Sequence, residues 1–430
     1  MKTKVLYGIA VLLLQMACTS REVQQSTQPQ VQRQTQTAPS NFMQTKGQGA
    51  NNANTADPQV NPAVVDMVAS ADSGDTTGKR IQVAILLDTS NSMDGLIDQA
   101  KSQLWKMVNE LALARDEKGE IPLLELALYH YGNDGLASGT GYIQQIAPLT
   151  TDLDLISEKL FSLSTNGGNE YCGHVIQTAS KELRWLSSNE HLKMIFIAGN
   201  EAFTQGEVDY KTSCRNAIAK GIIVNTIFCG DYQEGINTQW KDGADLTDGK
   251  YMNIDQGKSI VHIDAPQDAE INRLNQELND TYIGYGHEGM SRKEMQNKQD
   301  MNAASFGSAN NVQRAMSKAS KAYKNDSWDL VDAVKEKKKS VAEIADDELP
   351  QEMKGMNAEQ RTKYVEAKAA KRQEIQDKIG KLSEERRKYV AEKEAEMQKN
   401  DPNANTLDAV MLKAIREQAV KKKLRFEGKK

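Results

Sequence analysis

The segment Asp88-Thr89-Ser90-Asn91-Ser92-Met93 places a carboxylate and two hydroxyls two residues apart on one short stretch. Asp88, Ser90 and Ser92 together offer three hard oxygen donors, the donor type that Mg²⁺ takes and that Ca²⁺ and Mn²⁺ also accept. Because two of the three donors are neutral, much of a bound cation's charge would stay available to a further ligand. A serine-rich helix cap would read the same way in isolation. The surroundings give the segment its meaning. Ile81 to Leu87 (IQVAILL) is a nearly continuous apolar run ending at Asp88, and Leu96, Ile97, Ala100, Leu104, Met107, Val108 and Leu111 recur at helical spacing after it.

Catalytic signatures are missing from the chain. It contains no G-x-S-x-G, no H-E-x-x-H, no phosphate loop and no G-x-G-x-x-G at a strand–helix junction. His130, His191, His262 and His287 match no ligand spacing. Cys172 and His174 lie two apart on an expected helix and so face different ways. Nothing assembles a nucleophile with a base, and the expectation is a binding protein and not an enzyme.

The elements that must position Asp88 follow from hydrophobic pattern. Buried strands are predicted at 81–87, 123–131, 192–198 and 222–229, with an edge strand near 141–146 and a short strand at 251–254. Helices fit 95–112, 152–163, 173–187 and 209–220, with a helix or turn at 234–246. Continuous apolar strands alternating with helices mark a doubly wound, mostly parallel α/β sheet of Rossmann-like layering over residues 79–287. Residues 288–430 change character. They read as charged helices at 326–345, 358–398 and 406–426, broken at Asp346-Asp347, Pro350 and Asn400-Asp401-Pro402. Asn357 and Gln360 form a candidate capping box. The apolar line of the second helix (Tyr364, Ile375, Ile379, Leu382, Tyr389) is thin for a coiled coil, so a solvated charged helix is expected there.

The N-terminus reads as an export signal over residues 1–18. Lys2 and Lys4 precede an apolar stretch from Val5 to Leu14, too short to span a membrane. Ala17-Cys18 then resembles the lipobox of bacterial lipoproteins, with Gln15 departing from it. The resemblance implies an acylated Cys18 and a lipid-anchored protein of the bacterial cell envelope, periplasmic or surface-exposed, with an ordinary cleaved secretory signal as the alternative. Residues 19–78, rich in Gln, Thr, Asn and Ser, read as a disordered tether. Export places Cys172, Cys214 and Cys229 in an oxidising compartment, where one disulfide with a spare thiol, or none, is open.

Composition agrees with this layout. Of 430 residues, 39% are apolar, too few for a core along the whole chain, and 26% are charged with a net of −5, which argues against a dedicated nucleic-acid binder. The charge is polarised, with about −12 on residues 79–287 and about +7 on residues 288–430.

The D-x-S-x-S segment after a buried strand resembles the first motif of the metal-ion-dependent adhesion site (MIDAS) in von Willebrand factor A (VWA) domains. That resemblance covers residues 80–260. It implies that the loops Thr165-Asn166-Gly167-Gly168-Asn169-Glu170 and Gly199-Asn200-Glu201 complete the site. Both depart from the family pattern: Asn169 or Glu170 stands where a threonine belongs, and Gly199 or Asn200 where an aspartate belongs. The implied ligand set is Asp88, Ser90 and Ser92, then Glu170, then Asn200 or Glu201, around a divalent cation, Mg²⁺ first. If Glu170 binds the cation it supplies the carboxylate a partner would otherwise bring. Three readings therefore stand: a working adhesion site for an unidentified protein partner, a structural cation, or a cation-free remnant. In the last case the chain is an envelope assembly component whose C-terminal helices make the contacts.

Overall fold

The structure, a computed structural model, describes residues 78–257, 262–398 and 407–426. The expected signal, Cys18 and all but the last residue of the tether lie outside these. β1 (Arg80–Asp88) leads into α1 (Asp94–Leu111), a two-residue strand β2 (Ala114–Arg115), β3 (Leu123–Tyr131) and β4 (Ile143–Thr150). Then come α2 (Leu153–Phe161), α3 (Cys172–Glu182), β5 (Leu192–Gly199), α4 (Tyr210–Ala219) and β6 (Ile222–Cys229). Two short helices, α5 (Tyr232–Asn237) and α6 (Trp240–Asp245), precede β7 (Tyr251–Ile254).

The main sheet runs β4-β3-β1-β5-β6-β7, parallel throughout except for β4, which pairs antiparallel with β3 at one edge. This is the doubly wound arrangement read from the sequence. Period-two alternation divides each strand between two cores. Val83, Leu87, Met194 and Phe196 face one layer, which includes α1 and α2; Ala84, Leu86, Ile195 and Ile197 face the other, with α3 and α4. β1 lies at the centre, with β3 on one side and β5 on the other. The crossovers therefore leave it in opposite directions, and the crevice of such a sheet opens at its carboxyl end. Asp88 is the last residue of β1.

The remaining helices are α7 (Asp268–Asn279), α8 (Gly289–Ser305), α9 (Ser308–Ala319), α10 (Leu330–Lys335), α11 (Ala358–Gln398) and α12 (Leu407–Lys421), followed by the two-residue strand β8 (Arg425–Phe426). They pack onto the α/β body as part of one compact unit. α9 and α12 lie on α1, α8 lies on α2, and β8 pairs antiparallel with β2. Asn225 in β6 and Gln418 in α12 exchange two buried amide hydrogen bonds, at 3.1 and 2.6 Å.

Three expectations are corrected here. The helix expected over 326–345 shrinks to α10, followed by short 3-10 turns. The helix expected over 173–187 stops at Glu182, where Leu183 turns extended. The solvated character expected of α11 holds on one face alone. Its other face buries Val365, Ile375 and Ile379 together with Arg372 and Arg386, and it packs against α7, α9 and α10. Its capping box forms as read: the Asn357 N–H donates to Gln360 and the Gln360 N–H to Asn357, each at 2.9 Å.

Candidate functional site

The loop after β1 is held from two directions. The Thr89 N–H donates to the Tyr131 carbonyl at the end of β3 (2.9 Å), and the Thr89 carbonyl accepts from the Asn166 N–H (2.9 Å) and the Asn133 side chain (3.2 Å). Asn133 also reaches the Ser164 carbonyl at 3.2 Å, so one amide joins the three loops at the carboxyl ends of the strands. With the loop fixed, a 3-10 turn at Asn91–Met93 starts α1.

Asp88 is fully buried. Its Oδ1 accepts from the Ser90 N–H at 2.8 Å, while Oδ2 has no hydrogen-bond partner. An unpaired carboxylate oxygen away from water is costly to the charged form. Burial is the chief reason that the Asp88 pKa is pushed up to about 8; the Ser90 N–H opposes the rise, and the Glu170 and Glu201 carboxylates add to it. Ser90 and Ser92 hydroxyl oxygens lie 3.2 Å apart, and the Asn200 amide donates to Ser92 at 3.2 Å. Glu170, whose N–H donates to Gln205 at 2.7 Å, is likewise buried. Its pKa rises to about 7, through burial and then the Glu201 carboxylate, with the Ser90 hydroxyl holding it back and Asp134 adding to the rise.

Two glycines let the backbone pass close to these carboxylates. Gly132 adopts φ +74°, and a Cβ on it would meet the Glu170 Cγ at 2.7 Å and the Asp88 Oδ1 at 2.8 Å. A Cβ on Gly199, the last residue of β5, would meet the Tyr131 hydroxyl at 2.7 Å and the Asp88 Oδ2 at 3.0 Å. That hydroxyl donates to the Ala198 carbonyl at 3.0 Å and forms part of the floor.

The structure thus brings Asp88, Ser90, Ser92, Glu170 and Asn200 together. Glu201 stands differently: its carbonyl accepts from Trp240 Nε1 at 2.7 Å and its exposed side chain acts through charge. The Thr165 hydroxyl donates to Asp94 instead. Gly132, Asn133, Asp134 and Tyr131 were missed as site residues. The Gly132-Asn133-Asp134-Gly135 run directly after β3 is the sequence signal that could have marked them. Cys172, Cys214 and Cys229 are buried free thiols with no disulfide among them, and burial raises all three pKa values. His130 is a satisfied core residue, bonded to Gln144 at 2.9 Å and Thr89 at 3.2 Å.

Among the described residues, no three His, Cys, Asp or Glu side chains converge as a metal-binding group. A cation here would instead rest on Asp88 and Glu170 supplemented by the neutral oxygens of Ser90, Ser92 and Asn200. The residues fit that role: an orphaned buried carboxylate oxygen, a second carboxylate raised beside it, and two glycines where a Cβ would crowd them.

No protein-family model matches the chain, and no curated protein matches it. Solved structures similar to it include BatB from Bacteroides thetaiotaomicron, at 17% identity over 41% of this chain and 90% of that one, TM-score 0.31. The SpRpn10 VWA domain is 15% identical over 41% of this chain and 88% of its own, TM-score 0.31. The mussel byssus protein PTMP1 with a zinc-occupied MIDAS motif is 12% identical over 42% of this chain and 43% of that one, TM-score 0.31.

Proposed function

We propose that this protein is an extracytoplasmic binding module of VWA type. Its α/β body would hold a divalent cation, Mg²⁺ first, with Asp88, Ser90, Ser92, Glu170 and Asn200, and present that face to a protein partner. Cys18 would anchor the chain to the cell envelope through a lipid; among the described residues no helix is long and apolar enough to cross a membrane. The observation that carries the reading is the Asp88 Oδ2: fully buried and unpartnered, with the Gly199 backbone packed close against it. Bound there, a cation would supply the positive charge that the two carboxylates lack. Binding is favoured over catalysis because the thiols beside the site, Cys172 and Cys229, are both buried with their pKa values raised, and Cys172 contacts the Tyr131 hydroxyl. Calorimetric titration with MgCl₂ tests the reading. Wild type should bind and Asp88→Ala should not, and capture of a partner from envelope extract should vanish in chelator. Equal heats for the two proteins would remove the cation from the account.

A second reading, an envelope assembly component using its helical region, draws on one feature. A cleft of about 1570 Å³ lies between the base of the sheet, α9, α11 and α12, lined by Lys321, Lys335, Arg387 and Lys388 among others. Retention of partner capture after Asp88→Ala, with its loss on reversing charge at Arg387 and Lys388, would favour this reading.

A further inference from the structure

We infer that the partner group received at this site is cationic, the lysine or arginine side chains of a basic peptide segment, and not a carboxylate; the inference rests on the cation site proposed above. The charges that act most strongly on Asp88 and Glu170 are other carboxylates: Glu170 and Glu201 on the first, Glu201 and Asp134 on the second. Of these, Asp134 and Glu201 are exposed. Lys101 donates to the Leu163 carbonyl at 3.1 Å and its charge acts on Asp98 and Asp94, and Lys211 pairs with Asp242 at 3.7 Å. Acidic side chains at a loop cluster would mean little alone. Here they surround the Asp88 oxygen that is buried and unpartnered, which marks the spot as built to receive positive charge.

Charge counting then sets the sign of the partner. A divalent cation is neutralised by Asp88 and Glu170 together, leaving Asp134 and Glu201 uncompensated. An incoming carboxylate would meet a neutral centre inside a negative rim, whereas an ammonium or guanidinium group would be drawn to that rim. Coordination leads the same way. Asp88, Ser90, Ser92, Glu170 and Asn200 offer five of the six oxygens that Mg²⁺ takes, and water suffices for the last. Glu170 occupies the role a partner's acid would fill and frees the rim to do the recognising.

The test uses the full chain in saturating MgCl₂ and two fluorescent peptides, a Lys-Gly-Ser repeat and a Glu-Gly-Ser repeat, followed by anisotropy. The lysine peptide should bind at least about tenfold tighter and weaken with added salt. Asp134→Asn and Glu201→Gln should each loosen it severalfold, with Mg²⁺ affinity followed separately by calorimetry. Glu170→Thr should shift preference toward the glutamate peptide. Equal or tighter glutamate-peptide binding to wild type, binding of neither peptide, or indifference to both rim substitutions would overturn the inference. If Mg²⁺ fails to bind while the lysine peptide still binds and responds to the rim, the cation reading falls and the acidic recognition stands.

Discussion

The backbone of Gly199 passes so close to Asp88 that a Cβ at Gly199 would stand 3.0 Å from the carboxylate oxygen that has no partner. That closeness separates two substitutions. Gly199→Ala crowds the Asp88 carboxylate and the Tyr131 hydroxyl, and overpacking of this kind costs about 1–3 kcal/mol. Gly132→Ala adds the left-handed backbone penalty of about 1–2 kcal/mol to its overlap with Glu170. Urea unfolding should rank Gly132→Ala as the less stable. Calorimetry should show both losing at least about tenfold in Mg²⁺ affinity, by the fold-change that about 1.4 kcal/mol represents. Unchanged affinity in a folded Gly199→Ala protein would mean that no cation sits beside the Asp88 carboxylate.

Stability in the absence of cation should fall as pH rises. Asp88 titrates at about 8 and Glu170 at about 7 in the folded protein, against about 3.9 and 4.3 for free side chains. The folded state therefore binds more protons than the unfolded one between these limits. The stabilisation is fully present below about pH 4 and is lost as pH climbs through 7 and 8. Melting temperature in EDTA should decline from pH 5 to 9. Adding Mg²⁺ should reverse the decline and release protons, detected as heats that differ among buffers of different ionisation enthalpy. A flat profile would contradict the burial of both carboxylates.

Asp88→Asn isolates the charge from the shape. At pH 9 in EDTA the wild type must hold a buried, half-partnered carboxylate, so the neutral variant should be more stable, by on the order of 1–3 kcal/mol. Below pH 6, where wild-type Asp88 is already protonated, the two should converge. The rise in melting temperature on adding Mg²⁺ should disappear in the variant. A variant less stable than wild type at pH 9 would show that the charged form has a partner after all.

The strands of the body were legible because they are buried on both faces, so IQVAILL and IIVNTIFC appear as apolar runs that few other structures explain. Asp88, Ser90 and Ser92 were legible because they follow such a run directly. Gly132 and Gly199 were not, since a glycine that spares a carboxylate looks like any turn glycine. The packing of residues 268–398 was hidden for a different reason. α8 buries Gln296 and Gln299, α9 buries Asn310, Arg314 and Lys318, and α11 buries Arg372 and Arg386. A search for apolar faces passes over an interface built from amides and paired charges.

A chain ending at residue 287 should not behave as an independent body. Trp105 of α1 is fully buried, with the Arg314 guanidinium of α9 stacked 4.4 Å from its ring, and Met411 and Ile415 of α12 belong to the same core. Removing α8 to α12 exposes that face and leaves Asp154, which pairs with Arg314 at 2.7 Å, without its counter-ion. Size-exclusion chromatography should find the truncated protein self-associated, and it should bind a hydrophobic dye that the full chain does not. A monodisperse, dye-silent fragment would show the helices to be dispensable for the body.

Arg372 is one of two buried arginines, with Arg386, that fasten α11. It donates to Asp329 at 2.6 Å, to Asp332 at 2.8 Å and to the Thr281 carbonyl at 2.8 Å, and its guanidinium stacks 4.0 Å from the Tyr282 ring. Asp329 is fully buried and also accepts from the Ile283 N–H at 2.8 Å. Arg372→Met would leave Asp329 and Asp332 together without a cation, and breaking a buried pair from one side costs about 3–5 kcal/mol. Adding Asp329→Asn removes the stranded charge while keeping an oxygen for Ile283, so the double variant should be less destabilised than the sum of the singles, by on the order of 1–3 kcal/mol. The deficit of Arg372→Met alone should shrink as pH falls toward 5. Asp332 is already raised to about 6 by burial and by Asp329, and loss of the guanidinium leaves protonation as the remaining way to neutralise the pair. Urea unfolding of the four proteins at pH 5 and pH 8 checks both statements. Strict additivity at both pH values would assign the cost to lost stacking on Tyr282 instead of to charge.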